Sequence, residues 1–274
     1  MIDKNEVIAF FDTKAAVWDA EMIRSDEKIG RILDNAHVGA GSRVLDVACG
    51  TGVLMPDYLA RNVGSVTAID ISPEMIRIAS EKFPQENLCF VCGDVETADV
   101  GADFDAIVVY NAFPHFPDGA RLIKRLSSLL REGGTLTVAH GMSREDIDGH
   151  HHGAASHVSN GLMRVTDLAS IFERTLEVTT VISDENMYQV VGKKVSVLPH
   201  DHGHGEHSHD TQAFPTQALL AHTVMHNRSH MDELRELAAH VKGDAQTELY
   251  SAIDLMQTQN THLEKALALL QNQE

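Results

Sequence analysis

Short β-rich runs alternate with helical stretches between Arg43 and about residue 140, and this alternation constrains the fold more than any other feature. The β-rich runs span residues 43–48, 65–70, 87–93, 104–111 and 134–140, and the helical patterns lie near 53–62, 74–83 and 118–131. Strands that alternate with helices form βαβ units, in which helices cover both faces of a parallel sheet. The pattern therefore predicts an α/β protein.

The segments on either side of this region have different sequence patterns. Residues 1–38 have helical spacing and predict an N-terminal helical cover, whereas residues 176–183 and 188–195 predict a strand hairpin at the sheet edge. Beyond them we expect a histidine-rich linker at 199–213 and an antiparallel helical hairpin at 214–274. The first domain would then comprise residues 1–198.

The composition restricts the partners and the compartment. Acidic residues outnumber basic ones 40 to 22, which gives the chain of 274 residues a formal charge of −18. Such a surface repels nucleic acids and anionic membranes, so we expect neither as a partner. Three cysteines and the lack of an apolar leader or an 18-residue apolar run favour a cytoplasmic protein. Cys89 and Cys92 are expected in the sheet core.

The segment VLDVACGTG, residues 44–52, follows the first predicted strand and opens the next helix. Glycines at such a turn allow the backbone to approach a ligand closely. Met55 occupies the position of the third glycine of a dinucleotide fingerprint, which argues against NAD.

This segment resembles the first motif of class I S-adenosylmethionine (SAM) methyltransferases, particularly the branch of ubiquinone and menaquinone biosynthesis. Further resemblances follow in the same order along the chain: FFDTKAAVWD, AIDISPEMIRIA, CGDVE, FDAIVVYNAFPHFPD and LLREGGTLTVAH. The resemblance covers about residues 8–195. It implies a Rossmann-like, seven-stranded methyltransferase sheet with flanking helices, in which the last strand is antiparallel, followed here by the C-terminal helical hairpin.

The resemblance also implies a SAM site at specific positions. Gly50 and Gly52 would pass under the methionine and ribose, and Asp46 would fix this loop and contact the amino-acid end. Asp70 would accept hydrogen bonds from the ribose hydroxyls. The remaining implied contacts are an adenine contact from Ile71, an acceptor for the adenine amine from Asp94, a backbone N–H from Val95, and a position beside the methyl group for Asn111.

Two histidines are candidates for a catalytic base. SAM carries its own leaving group, so a base is needed only if the acceptor must lose a proton. His115 follows the fourth strand and His140 ends the fifth, on the ligand side of an open α/β sheet. A structural or exposed role is the alternative for each. The tetrapeptide NAFP departs from the D/N-P-P-Y/F pattern of protein-amide and nucleic-acid methylating branches, which favours a small-molecule acceptor.

Histidine is the compositional outlier, with 17 residues. Dense imidazoles in a polar segment chelate Zn, Ni, Co or Cu, and two histidines four apart on a helix form a common metal pair. We therefore predict metal ligands in the linker and on the first hairpin helix: His200, His202, His204, His207, His209, His222, His226 and His230. A polar layer in the hairpin is the alternative for the helical histidines. A polar loop with His150, His151, His152 and His157 suits a metal site, an acceptor site or a solvated loop.

Two hypotheses of different classes remain open at this point. The chain is either a methyltransferase for a small molecule, itself metal-linked in one version, with a metal-binding appendage, or a metal sensor or storage protein built on a methyltransferase fold. The sequence leaves open a homo-oligomer formed through the C-terminal helices, which could pair within a chain or between copies.

Overall fold

The computed structural model describes residues 2–144, 146–147, 156–195, 220, 223–224, 227–228, 231, 234–235 and 237–271. The chain divides into two compact units, Met1–Leu198 and Pro199–Glu274. None of the helices within the described residues is both long and apolar enough to cross a membrane.

A seven-stranded mixed sheet forms the centre of the first unit. Its strands are β1 (Arg43–Val47), β2 (Ser65–Asp70), β3 (Leu88–Cys92), β4 (Phe104–Tyr110), β5 (Leu130–His140), β6 (Glu177–Ser183) and β7 (Tyr188–Lys193). They lie in the order β3-β2-β1-β4-β5-β7-β6, and β1 to β5 are parallel. β7 runs antiparallel to both β5 and β6. This confirms the predicted Rossmann-like sheet with its antiparallel last strand.

Eight α-helices have their bounds within the described residues. They are α1 (Lys4–Lys14), α2 (Trp18–Glu21), α3 (Asp26–Asn35), α4 (Met55–Ala60), α5 (Pro73–Lys82), α6 (Gly119–Leu129), α7 (Val165–Phe172) and α8 (Asp244–Gln271). At several helix N-termini, a side chain accepts a hydrogen bond from a backbone N–H of the first turn. For example, Ser72 Oγ accepts from the N–H of Met75 at 3.2 Å at the start of α5. The N-terminal helices match the predicted cover, whereas the sequence pattern gave no indication of α7.

The core lies on both faces of the central strands. Residues 44–47 of β1 and 106–109 of β4 are buried without a break, as parallel strands covered by helices require. The edge strand β3 is less buried than these central strands. Cys89 and Cys92 are exposed on β3, so the expectation that they belong to the core was wrong. β3 pairs only with β2 and is the outermost strand, which leaves its faces less completely covered.

The second unit contains α8 and the described helical residues between 220 and 240. Gly243 has φ of 75°, the conformation that commonly ends a helix. Across the turn, Asn260 Nδ2 donates to the Val224 carbonyl at 3.0 Å and Gln246 Nε2 donates to the Ala238 carbonyl at 2.8 Å. These contacts bring the two segments together as an antiparallel pair, in agreement with the predicted hairpin.

We expect residues 1–198 to fold without the rest of the chain, because the sheet and its covering helices all belong to this unit. Circular dichroism should show one cooperative thermal transition for a protein truncated after Leu198. As a matched control, truncation after Asn186 removes β7, which bonds to both β5 and β6, and should abolish that transition. Aggregation of the protein that ends at Leu198 would contradict the domain boundary.

Candidate functional site

A cavity opens at the carboxyl ends of β1, β2 and β4, where the strand order reverses between β1 and β4. Ligands bind at such switch points in open α/β sheets. The space within the cavity and at its open mouth amounts to about 1050 Å³, which includes open solvent. The described residues that line it all fall between Lys4 and Pro117, within the first unit.

The glycine loop after β1 forms one wall. Gly50 lines the cavity and has φ of 55°. Gly52, with φ of 86°, is not among the lining residues, and a Cβ at this position would stand 2.8 Å from the ring of Phe83. The two glycines therefore serve different purposes: Gly50 leaves room for a ligand, and Gly52 allows the loop to pack on Phe83, the residue that follows α5.

Asp70, at the end of β2, holds this loop in place. Its carboxylate accepts from the Gly50 N–H and from the Ser72 N–H, both at 2.9 Å. The residue is 8% exposed, and burial raises the pKa of Asp70 even though the two N–H groups favour its charged form. A carboxylate offers about four acceptor positions, so Asp70 retains acceptor capacity for a ligand hydroxyl.

Asp46 is the most exceptional group in the cavity wall. It is 2% exposed, and its Oδ2 has no hydrogen-bond partner among the described residues. Burial, and then the neighbouring charge of Asp70, raise the pKa of Asp46 well above its usual range. An orphaned buried carboxylate calls for a partner. The ammonium group of SAM would supply a cation and N–H donors here, so the residues present fit this cofactor.

Asp94 follows β3 and lines the cavity, as do Val95 and Ile71, the residue after β2. Its Oδ1 accepts from the Glu96 N–H at 3.0 Å. Its Oδ2 accepts from Lys4 Nζ at 2.5 Å, and the same ammonium contacts Glu96. The N-terminal cover thus closes directly on the acid predicted to bind adenine.

Asn111 terminates β4 at the mouth of the cavity. Its φ of 54° is unusual for a residue with a side chain, although asparagine tolerates it best. Its Oδ1 accepts from the Gly141 N–H at 3.0 Å, which ties the end of β4 to the end of β5. Asn111 therefore shapes the mouth in addition to lining it.

The two candidate bases lie in different surroundings. His115 lines the cavity, and its Nδ1 is 2.8 Å from the Val158 carbonyl. Because a carbonyl only accepts, this Nδ1 carries the proton and the lone pair of the neutral ring is on Nε2. His140 is 3% exposed, packs against the Tyr188 ring at 5.9 Å, and is not among the lining residues. The geometry favours His115.

The cover supplies lining residues that the sequence did not single out as site residues. They are Lys4, Val7, Phe11, Trp18 and Met22. The signal was present in the segment FFDTKAAVWD, which the resemblance already included. Its aromatic side chains were assigned to a helical cover, and no pattern within one helix shows which face meets a distant loop.

The eight predicted metal ligands, His200, His202, His204, His207, His209, His222, His226 and His230, lie outside the described residues, as do His150, His151 and His152. His157 is described: it is exposed, and its ring lies 6.0 Å from that of Phe10. Within the described part of the chain, no group of three or more histidine, cysteine, aspartate or glutamate residues could hold a metal ion.

Comparison with known proteins agrees with this geometry. Residues 44–134 match a family model described as a methyltransferase domain. Malonyl-[acyl-carrier protein] O-methyltransferase of Acetivibrio thermocellus is 33% identical over 142 residues, which cover 51% of this chain and 50% of that protein. Residues 44–134 are thus similar to a methyltransferase domain. The predicted affiliation with one biosynthetic branch of methyltransferases stays a prediction.

Two further proteins are similar to this chain. Ubiquinone biosynthesis O-methyltransferase of Coxiella burnetii is 32% identical over 143 residues, 49% of this chain and 61% of that protein. The fold is shared with the N-methyltransferase NodS from Bradyrhizobium japonicum in complex with S-adenosylhomocysteine, with a TM-score of 0.54 and 17% identity over 70% of this chain and 98% of NodS. The chain spans about half the length of the first curated relatives it matches.

Residues 216–270 match a second family model, described as a domain of unknown function, DUF8180. This match coincides with the helical hairpin of the second unit.

We expect Asp46→Asn to stabilise the ligand-free protein at neutral pH, because it removes a buried charge that has no partner. A folded-state pKa above the unfolded value means that ionisation destabilises the fold, so this penalty is present at neutral pH and is released as the pH falls through the raised pKa. The melting temperature of the variant should exceed that of the wild type by roughly 2–4 °C for each kcal/mol gained in the free energy of unfolding.

Thermal unfolding between pH 7.5 and pH 5 checks this expectation. The advantage of Asp46→Asn should shrink as the pH falls, and the stabilisation by S-adenosylhomocysteine should be smaller in the variant. An advantage that grows toward low pH would show that Asp46 is well solvated or paired.

Proposed function

We propose that this protein transfers the methyl group of SAM to an uncharged small molecule, and that its histidine-rich C-terminal part binds a transition metal. The observation that supports the methyl transfer is the convergence of Asp46, Asp70 and Asp94 on one cavity around the glycine loop. The three carboxylates come from the ends of β1, β2 and β3, in the order in which the parts of SAM would lie.

The cofactor would lie along these strand ends. Asp46 would take the ammonium group and Asp70 the ribose hydroxyls, for which it retains acceptor positions. Asp94 and the Val95 N–H would bind the adenine edge, with Ile71 against its face. SAM supplies an activated methyl group with its own leaving group, so the protein contributes mainly orientation, which is worth on the order of 7–11 kcal/mol in favourable cases.

The acceptor would occupy the part of the cavity beyond these carboxylates. Phe11, Met22, Tyr110 and Phe116 line the cavity here, close to Asn111 and His115. Aromatic and thioether side chains favour an apolar body, and the few polar groups would orient it. We infer a small apolar acceptor with one nucleophilic group facing His115.

His115 is the residue we assign as the base. The Val158 carbonyl holds the proton on Nδ1, which leaves Nε2 as the atom that can accept a proton from the acceptor. Residues 158–160 fix this arrangement from both sides, because Asn160 donates from its N–H to the Pro114 carbonyl and from Nδ2 to the Phe116 carbonyl. Phe11 packs edge-on against the imidazole at 5.0 Å.

Two substitutions should separate cofactor binding from methyl transfer. Asp70→Ala removes a charge-assisted acceptor and should weaken SAM binding by ~1.5–3 kcal/mol. His115→Ala should leave SAM affinity unchanged and lower transfer by about 10²- to 10⁴-fold with an acceptor that must lose a proton. Calorimetry gives the affinities, and release of S-adenosylhomocysteine with a panel of uncharged hydroxyl, amino and thiol compounds gives the transfer.

Asp99→Ala is the matched control, because Asp99 is exposed and caps a turn at Gly101 outside the cavity lining. It should bind SAM like the wild type. An unchanged SAM affinity in Asp70→Ala would show that Asp70 does not bind SAM. Full transfer activity in His115→Ala would show that His115 is not a base and that the protein contributes orientation alone.

The metal proposal rests on the sequence of the second unit. His226 and His230 are four residues apart in a segment whose sequence predicts a helix, which would partly preorganise them, whereas the linker histidines must be ordered on binding. We therefore expect His226→Ala with His230→Ala to remove the tightest class of Zn or Ni site and to leave a weaker, multi-ion class. His262→Ala, an exposed histidine on α8, is the control.

A metal-competition titration decides between the outcomes. Survival of the tightest site in the double variant would assign the helical histidines to a polar layer. Tight metal binding by a wild-type protein that fails to bind SAM would favour a metal sensor or storage protein instead.

A further inference from the structure

Among its described lining residues, the proposed SAM site has no lysine or arginine left to pair with the negative charge of its ligand. The amino-acid end of SAM carries an ammonium and a carboxylate on the same carbon atom, so a carboxylate must lie beside the ammonium that Asp46 would bind. Lys4 is the only lysine or arginine among the described lining residues. It already contacts Asp94 and Glu96 at the adenine end.

The glycine loop offers few unused donors at this place. The Gly50 N–H is donated to Asp70, and the Gly52 N–H is donated to the Cys49 carbonyl. Asp46 and Asp70 are themselves negatively charged when ionised, so the carboxylate of the ligand must turn away from the sheet. It would then face the N-terminal cover.

Trp18 lies on that side of the cavity. Its indole nitrogen is 3.8 Å from the position that a Cβ on Gly50 would occupy, and the residue lines the cavity. Within the described residues, no acceptor is found for this N–H. A tryptophan N–H at a protein surface or interface generally finds a partner, while the ring provides apolar contact.

The chain holds Trp18 in this position through the next residue. Asp19 accepts a hydrogen bond from Thr51 Oγ1. It also forms an ion pair with Lys82 Nζ at 2.6 Å. Lys82 also donates to the Thr51 carbonyl at 2.9 Å. These contacts join the cover to the glycine loop, so the indole is placed before any ligand arrives.

We propose that the indole N–H of Trp18 donates a hydrogen bond to the carboxylate of bound SAM. This inference rests on the proposed SAM site and adds a binding residue to it. The cover then takes part in recognition of the cofactor, and discriminates in favour of ligands with an intact amino-acid end.

The test compares two ligands that differ only in the carboxylate: SAM and decarboxylated SAM. Trp18→Phe keeps an aromatic ring and its edge contact with Phe11, which lies at 5.6 Å, but loses the donor. Calorimetry should show SAM binding ~10- to 100-fold weaker in the variant, because a hydrogen bond to a charged group is lost. The affinity for decarboxylated SAM should change by less than about twofold.

Phe11→Leu is the matched control, since it alters the same aromatic pair without removing a donor. It should change the affinities for the two ligands by the same factor. Asp19→Ala should reproduce part of the selective loss for SAM, because it releases the contact that places the indole.

The outcomes separate the two levels of the proposal. An equal loss for both ligands, or no loss, in Trp18→Phe would overturn the role of the indole N–H while leaving the SAM site intact. If the wild-type protein binds neither ligand, the proposed function itself fails.

Discussion

Two carboxylates buried at the ends of neighbouring strands determine the form of this site. Asp46 and Asp70 have no lysine or arginine bonded to them among the described residues, and burial raises the pKa of each. Uncompensated charge in the interior costs free energy unless hydrogen bonds or a ligand stabilise it. Backbone N–H groups from the glycine loop and α5 do this for Asp70, which is why the loop takes its sharp path. Asp46 Oδ2, in contrast, has no hydrogen-bond partner among the described residues.

The N-terminal cover depends on the same strand ends. Lys4 pairs with Asp94, Asp12 accepts from Ser72 Oγ, and Asp19 accepts from Thr51 Oγ1 in the glycine loop. Each contact joins the cover to a segment that directly follows β1, β2 or β3. The first helix of the cover is short of buried apolar residues, because Val7 is the only buried residue of α1, whereas α3 buries Ile29, Ile32 and Leu33. Polar contacts with the residues that would hold the ligand therefore contribute much to the position of α1.

The sequence predicted what depends on local pattern. Strand and helix periodicities located β1 to β7 and the helices α4, α5 and α6, but not α7. The glycine loop with Asp46, Asp70 and Asp94 marked the cavity. Contacts between distant segments carry no periodic signal. The Lys4–Asp94 pair, the position of Trp18 and the choice between His115 and His140 depend on how the cover and the loop after β5 fold back. The exposure of Cys89 likewise depends on strand order, which alternation alone does not reveal.

The charge of the cavity also bears on the acceptor. Its described lining contains Asp46, Asp70 and Asp94 against Lys4, whereas SAM carries two positive groups and one negative group. Cofactor binding would thus reduce the imbalance at the strand ends. An anionic acceptor would enter a cavity that is still negative, and a cationic acceptor would be placed beside the sulfonium. Both cases cost electrostatic free energy in a site of low dielectric constant. A neutral acceptor that loses its proton to His115 during transfer avoids both costs, and the apolar wall formed by the cover suits it.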